Sequence, residues 1–179
     1  MLNSKSPYPV PAKEVRAEIM VSNSRFVTSL APANSVEEAR DFIKLVKEEF
    51  KDANHHVPVF LIGYGDSVTA HCSDASEPSG TAGRPALAVL QGSGLGDVVV
   101  VITRYFGGTK LGTGGLVRAY SDAVRAVLEK VERAARIMTD TIITTYPYTF
   151  LERVRQIVHA CSGIIIMEEF GAEVTFTAR

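Results

Sequence analysis

Hydrophobic and polar positions alternate in two stretches near the start of the chain, which predicts a β-hairpin. In Val15–Val21 the odd-numbered positions are apolar and Arg16 and Glu18 lie between them, the period of a half-buried strand. Arg25–Ala31 is a second predicted strand, joined through residues 22–24, which have turn composition. Residues 1–12 are rich in proline and serine, so we expect a loose arm there.

Helical periodicity recurs in the middle of the chain. Ser35–Glu38 has capping-box form and predicts a helix from about Val36 to Lys51. A short helix is predicted from Pro85 to Leu90, and an amphipathic helix from Leu116 to Val131. Apolar runs bounded by turn residues predict strands at Val57–Ile62, Val68–Cys72 and Val98–Thr103.

The pattern changes near Arg133–Thr139, and we place a domain boundary there, between residues 1–135 and 139–179. The second segment predicts a strand, a helix and a hairpin, in the order βαββ, and these are Thr141–Tyr146, Thr149–Cys161, Gly163–Phe170 and Glu173–Thr177. A piece of about 40 residues has a marginal core by itself. The chain as a whole is therefore predicted to be α+β.

Composition narrows the class of protein. Of the 179 residues 46% are hydrophobic and 22% charged, which is typical of a folded globular chain. The formal net charge of −1 excludes a chain-wide basic field, so any binding of nucleic acid must use a local patch. Two distant cysteines, no signal-peptide pattern and no membrane-length apolar run favour a cytoplasmic protein that does not engage a membrane.

The polar loop Ser73–Gly83 is the first candidate site. Its glycines and proline can fix a backbone that presents Glu77, Ser79 and Thr81 outward. It can equally serve only to cap the helix predicted at Pro85. Both interpretations stay open on the sequence.

The loop Arg104–Gly115 is the second candidate and the richer one. Five glycines lie here between a buried-type strand and a helix start, where backbone N–H groups and the helix dipole can face a phosphate-like anion. Arg104, Lys110 and Arg118 would supply counter-charge, although neither a P-loop nor a GxGxxG motif is completed. The alternative is that the glycines serve only turns and close packing. The predicted binding residues of this loop are Arg104, Tyr105, Phe106, Gly107, Gly108, Lys110, Gly112, Gly114, Gly115 and Arg118.

Histidines and cysteines give weaker signals. His55 and His56 are adjacent, and His71 and Cys72 follow on a later strand, but neighbouring strand residues point to opposite faces. We therefore expect no metal and no cofactor. No nucleophile elbow or other activating arrangement frames a catalytic residue, so none is assigned.

Three segments together resemble the IMPACT/YigZ family: Ser24–Phe26, Glu77–Gly83 and above all the block Val100–Ser121. The resemblance implies an N-terminal α/β domain of the type shared with a ribosomal protein and the GHMP kinases. It also implies a ferredoxin-like C-terminal domain. Here that domain would be partial, because the chain stops after βαββ instead of βαββαβ. Where the family commonly has Ala-Thr-His-x-Cys, this chain has 53–57 Ala-Asn-His-His-Val, so a role resting on that thiol is not expected.

The function implied by the family is binding, since eukaryotic relatives regulate translation through protein partners and bacterial relatives are suspected of binding nucleic acid. We expect a noncatalytic protein that binds a translation component, RNA or protein, through the glycine loop. The alternative is an enzyme acting on a phosphorylated small molecule, with Glu77 as base. A homo-oligomer is compatible with either function, and Ile164–Ile166 or Phe176 are expected to be exposed on the incomplete C-terminal sheet.

Overall fold

The computed structural model describes residues 7–179 and has a mixed α+β fold. It forms two compact units, residues 7–136 and residues 137–179, called unit 1 and unit 2 below. Within the described residues, no helix combines the length and the apolar character needed to cross a membrane.

Unit 1 is built on a five-stranded antiparallel sheet with β6 at its centre. Unit 1 as a whole has seven strands among the described residues: β1 (Tyr8–Pro11), β2 (Val15–Val21), β3 (Ser24–Pro32), β4 (His55–Ile62), β5 (Thr69–Cys72), β6 (Val98–Tyr105) and β7 (Arg133–Arg136). The large sheet has the order β2-β3-β6-β4-β5, and β1 pairs with β7 in a separate ribbon. The predicted hairpin is confirmed: β2 and β3 are joined by Ser22 and Asn23, whose φ angles of 45° and 67° suit a type I′ turn.

Helices cover both faces of this sheet, which explains the continuous apolar run in β6. On one face α1 (Val36–Glu49) packs over Val99 and Val101. On the other face α2 (Gly83–Gly92) and α3 (Gly112–Leu128) pack over Val98, Val100 and Ile102. Since successive strand residues point to opposite faces, a strand buried between two helical layers needs apolar residues at every position.

Helix α3 starts earlier than its apolar periodicity predicts. The predicted start at Leu116 is wrong by four residues, because Gly112, Thr113, Gly114 and Gly115 already form its first turn. Glycine has a low helix propensity, so the pattern placed these residues in a loop. Tertiary packing of the later turns outweighs that local preference.

The β1–β7 ribbon corrects the expectation of a loose arm. Tyr8–Pro11 is a strand, whereas residues 1–6 lie outside the described part of the chain. The Tyr8 hydroxyl donates to buried Asp97, which also accepts from the Gly63 amide and pairs with Arg136. Burial, and then the hydrogen bond to Asp97, raise the pKa of Tyr8 to about 12, so Tyr8 remains a protonated donor.

Unit 2 has the predicted order βαββ: β8 (Ile142–Tyr146), α4 (Leu151–Ala160), β9 (Ile165–Phe170) and β10 (Val174–Ala178). Its sheet has the order β8-β10-β9, all antiparallel. Leu151, Val154 and Val158 of α4 pack on Val174 and Phe176. Phe176 is therefore buried, whereas Ile164, Ile165 and Ile166 are exposed, so of the two expected places of apolar exposure the isoleucines have it.

Candidate functional site

The strand register places three unlike side chains side by side at one end of the large sheet. Phe26 of β3 is the direct partner of Arg104 of β6, and His55 of β4 is the partner of Arg104 on its other side. Directly paired residues share a face, so all three lie on the α2/α3 face. A charged residue is thereby placed on a face where the other β6 residues, Val98, Val100 and Ile102, are hydrophobic.

Glu77 enters this row from the loop before α2. Its Oε1 atom accepts from Arg104 Nη1 at 2.6 Å, and the two side chains are only 3% and 6% exposed. The Nε2 atom of His55 lies 3.8 Å from the same oxygen, while His55 Nδ1 donates to the carbonyl of Ala75 at 2.9 Å. A buried charge needs such a partner, since leaving it unpaired costs far more than the pair contributes.

Tyr120 of α3 adds a hydrogen bond to the Glu77–Arg104 ion pair. Its hydroxyl donates to Glu77 Oε1 at 2.7 Å, and its ring meets Phe26 edge to face at 5.3 Å between centroids. Burial, and then the hydrogen bond to Glu77, raise the pKa of Tyr120 far above its ordinary value. Tyr120 is therefore a fixed donor that ties α3 to the loop carrying Glu77.

The Arg104 guanidinium is also packed between two aromatic rings. Its Cζ atom lies 5.5 Å from the ring centroids of both Phe26 and Phe106. Ser24 accepts from Arg104 Nη2 at 3.4 Å and from the Gly107 amide at 3.3 Å. Because Phe106 is 46% exposed, it forms the solvent side of this stack. We call Glu77, Arg104 and Tyr120, with His55 and Ser24, the buried polar cluster.

Asp74 organises the loop that delivers Glu77. Its carboxylate accepts from the amides of Gly80, Ala82 and Gly83, at 2.8, 3.1 and 2.8 Å. Burial acts to raise the pKa of Asp74, but these three backbone donors together lower it below its ordinary value. The loop thus caps the start of α2, one of the two roles the sequence left open.

The sequence also allowed this loop to present Glu77, Ser79 and Thr81 outward. The structure corrects that expectation for Glu77 and Thr81. Glu77 is buried in the ion pair, and the Thr81 hydroxyl is buried and donates to the Pro78 carbonyl. Only Ser79 is exposed. Glu77 is therefore not accessible as a general base for a substrate in solution.

The five glycines of the loop Arg104–Gly115 differ in whether the fold requires glycine at their positions. A Cβ atom on Gly107 would lie 2.0 Å from the Asn23 carbonyl oxygen, so the hairpin turn excludes any side chain there. Gly108 and Gly112 have φ angles of 84° and 68°, which favour glycine. A Cβ on Gly115 would lie 3.1 Å from Leu111, whereas one on Gly114 would meet nothing within 4 Å. Gly114 alone in this loop has no internal reason to be glycine.

The predicted counter-charges separate into buried and exposed groups. Arg104 is compensated by Glu77, so its expected role as counter-charge to an external anion is corrected. Asp122 pairs with Arg125 at 2.6 Å and not with Arg118. In the described part of the chain, no carboxylate lies within ion-pair distance of Lys110 or Arg118, both of which are exposed. Tyr105 is half-buried and its hydroxyl donates to Asp52.

His55 and His71 lie on strands β4 and β5, as predicted. His56 points to the face opposite His55 and contacts Thr103. Over residues 7–179 no three side chains among histidine, cysteine, aspartate and glutamate form a metal-binding group.

Sequence reasoning did not find the partners that hold this site together. Tyr120 lies within the predicted amphipathic helix Leu116–Val131, where helical spacing accounts for its ring but gives no signal for the hydrogen bond of its hydroxyl. Asp74 is one of several polar residues of its loop, and the sequence does not distinguish it. The signal for Ser24 and Phe26 was the short family segment that contains them. The amide of Phe106 is fixed by Asn54, 52 positions earlier in the chain.

Comparison with known proteins places the chain in one family. The model of the Impact N-terminal domain matches residues 22–128. The Escherichia coli IMPACT family member YigZ is 37% identical over 92% of this chain and 81% of its own. IMPACT family member YvyE of Bacillus subtilis is 39% identical over 76% of this chain and 63% of its own.

Two solved structures resemble the chain to different degrees. A crystal structure described as that of a hypothetical protein has a TM-score of 0.73 and 36% identity, covering 96% of this chain and 84% of its own. The structure of the translational regulator Yih1 has a TM-score of 0.41 and 22% identity over 69% of this chain and 47% of its own, a likeness too weak to carry an argument. The family-model match and the identity to YigZ show that the chain belongs to the IMPACT family.

Proposed function

We propose that this protein is a noncatalytic binding protein that acts in translation or its regulation by binding single-stranded RNA. The proposed contact is the glycine-loop surface, defined as Phe106, Gly108–Lys110, Gly112–Gly114 and Arg118. The observation that carries the proposal is an exposed aromatic ring, Phe106, and an exposed cation, Lys110, on the segment between β6 and α3, with a second exposed cation, Arg118, on α3 itself. Among the described residues, no carboxylate lies within ion-pair distance of either cation.

These groups match the requirements of a single strand. Unpaired bases stack on exposed aromatic rings. Phe106 is held in place by the hydrogen bond that its backbone N–H donates to Asn54 Oδ1 and by the packing of its ring on Arg104. Lys110, Arg118 and the free amides of the first turn of α3 suit phosphate oxygens. Empty space above Gly114 allows a backbone to approach the helix closely.

The buried polar cluster supports a noncatalytic role. An enzyme acting on a phosphorylated metabolite would need a base that its substrate can reach, and Glu77 is 3% exposed and already accepts from Arg104 and Tyr120. Membership of the IMPACT family supports the link to translation, since the resemblance to that family implies relatives that regulate translation.

The test is a salt titration of binding to a fluorescently labelled single-stranded RNA, followed by anisotropy. Two phosphate contacts predict a slope of about −1.4 in log K against log salt, since each contributes about −0.7 on single strands. Lys110→Ala should weaken binding and bring the slope to about −0.7. Its melting temperature should be unchanged, because an exposed lysine contributes little to stability.

The matched control is Lys44→Ala, an exposed lysine of α1 on the opposite face of the sheet. It removes the same charge and should leave both affinity and slope as in the wild type. No saturable RNA binding, or equal losses in the two variants, would refute the RNA assignment. If the chain bound a protein and not RNA, and Lys110→Ala abolished that binding, the glycine-loop surface would remain the binding site but its ligand would be a protein.

A further inference from the structure

A shallow groove runs between α2 and α3 on the outer side of their layer. It has a volume of about 550 Å³, and its walls include Pro85, Ala88 and Gly92 from α2 and Val117, Ser121 and Arg125 from α3. The residues on each helix are spaced three or four positions apart, so each set forms one continuous stripe. Lys110 and Phe106 of the glycine-loop surface do not line this groove.

Small side chains leave the groove open to a backbone. A Cβ atom on Gly92 would meet nothing within 4 Å, Ala88 is exposed, and Val117 is 37% exposed. Packed helices approach to about 8–10 Å between axes, and the shorter distances need small residues at the contact. The size and lining therefore suit a third helix lying across the pair.

The charges around the groove favour an acidic occupant. Helix α2 has a single charged residue, Arg84, one turn before Ala88. Helix α3 contributes Arg125, which lines the groove and is paired with Asp122 at 2.6 Å, and Arg118, which flanks the groove without such a pair among the described residues. The described helix on the other face, α1, is instead acidic, with five carboxylates against three basic side chains. The α2/α3 layer is therefore locally basic in a chain whose formal net charge is −1.

We propose that this groove binds an acidic amphipathic helix of a partner protein. Its walls are mixed, with Pro85, Ala88 and Val117 beside Ser121 and Arg125. The apolar part favours a helix over RNA, because a nucleic-acid surface would present cations and aromatic rings at those positions. A second copy of this chain does not supply the occupant from α1. The apolar stripe of that acidic helix, including Ala39, Ile43 and Val46, is already buried against its own sheet.

The test uses a synthetic acidic peptide of about 18 residues, longer than the roughly 12–15 residues below which an isolated helix is marginal in water. It carries a stripe of alanine and leucine at helical spacing and glutamate elsewhere. One comparison peptide has lysine in place of glutamate, and another has the same composition in scrambled order. Binding to the full chain is measured by calorimetry, and its location by amide chemical shifts.

The acidic peptide should bind saturably and shift the amides of Ala88, Gly92 and Val117, while both comparison peptides should bind at least about tenfold more weakly. Ala88→Glu should weaken binding by about tenfold or more without lowering the melting temperature, because Ala88 is exposed. Ala70→Glu makes the same change at an exposed position of β5 and should have no effect on binding.

Three outcomes would overturn the proposal: no saturable binding, equal binding of the lysine peptide, or shifts confined to residues outside α2 and α3. Shifts of these amides by single-stranded RNA, competed by the peptide, would assign the groove to nucleic acid and also overturn it. Lys110→Ala should leave peptide binding intact, so failure of this proposal is distinguishable from failure of the RNA proposal.

Discussion

Glu77 and Arg104 are opposite charges placed inside an otherwise apolar layer. Their mutual attraction, the hydroxyl of Tyr120 and the Phe26 and Phe106 rings replace the water that both groups lose. A hydrophobic pair of similar size could be equally stable, so stability alone does not explain the pair. What the pair does is connect a loop, a central strand and a helix through one carboxylate oxygen.

Removing Glu77 should show how much the stability of the fold depends on its pair with Arg104. Glu77→Ala leaves the Arg104 guanidinium buried without a counter-charge, and we expect the free energy of unfolding to fall by roughly 3–5 kcal/mol. Chemical denaturation followed by circular dichroism measures it. Ser79→Ala, two positions later on the same loop but exposed, should stay within about 0.5 kcal/mol of the wild type. Similar values for the two variants would contradict the role given to Glu77.

The lowered pKa of Asp74 predicts that the free energy of unfolding depends on pH in the acid range. Its pKa is lower in the folded chain than the 3.8 of an unperturbed aspartate, so its stabilisation is complete above that pH. The stabilisation is lost as the pH falls through the lower folded pKa. Asp74→Ala should cost about 2 kcal/mol at neutral pH, since a cap is lost, and the difference from wild type should shrink in acid. A difference that is constant from pH 7 to about pH 2 would contradict this.

Strands and helices were predictable wherever one periodicity governed a segment. The β2–β3 hairpin, α1 and the βαββ order of unit 2 follow from alternation, capping and helical spacing. The site was less predictable, because its contacts join positions far apart in the chain. Arg104 and Glu77 are 27 positions apart, and a charged residue in a polar loop is ordinarily exposed. The start of α3 was missed because local propensity opposed it.

Gly107, which follows β6, and Gly114, in the first turn of α3, should respond oppositely to alanine. Gly114→Ala meets no atom and improves helix propensity, so it should stabilise the protein by up to about 1 kcal/mol. Gly107→Ala collides with the Asn23 carbonyl and should be strongly destabilising. Thermal unfolding of both variants measures the contrast. Destabilisation by Gly114→Ala would show an internal role for this glycine, and weaker RNA binding with raised stability would support the proposed surface.

Unit 2 exposes an unusual amount of apolar surface for 43 residues. Ile142, Ile143 and Ile164 are 63%, 70% and 61% exposed, and exposed apolar patches promote association. The uncharged strand β8, Ile-Ile-Thr-Thr-Tyr, lies at an edge of its sheet and adds unpaired backbone groups.

We therefore expect concentration-dependent self-association, measured by sedimentation velocity. Ile143→Lys should reduce it, because a charge on an edge strand opposes pairing between chains. The matched change Leu45→Lys, on α1 at 67% exposure, should leave it unaltered. A monomer at all concentrations, or equal effects of the two substitutions, would contradict the prediction.

The central position of β6 also determines when the sheet can close during synthesis. Ser24 and Arg104, which meet across β3 and β6, are 80 positions apart. A ribosome adding 5–20 residues per second needs roughly 4–16 s to span that interval. For most of that interval the β2–β3 hairpin is already synthesised, while Phe26 and Leu30 still lack the strand that pairs with them. The nascent chain thus has a delay in which a holding chaperone would improve yield.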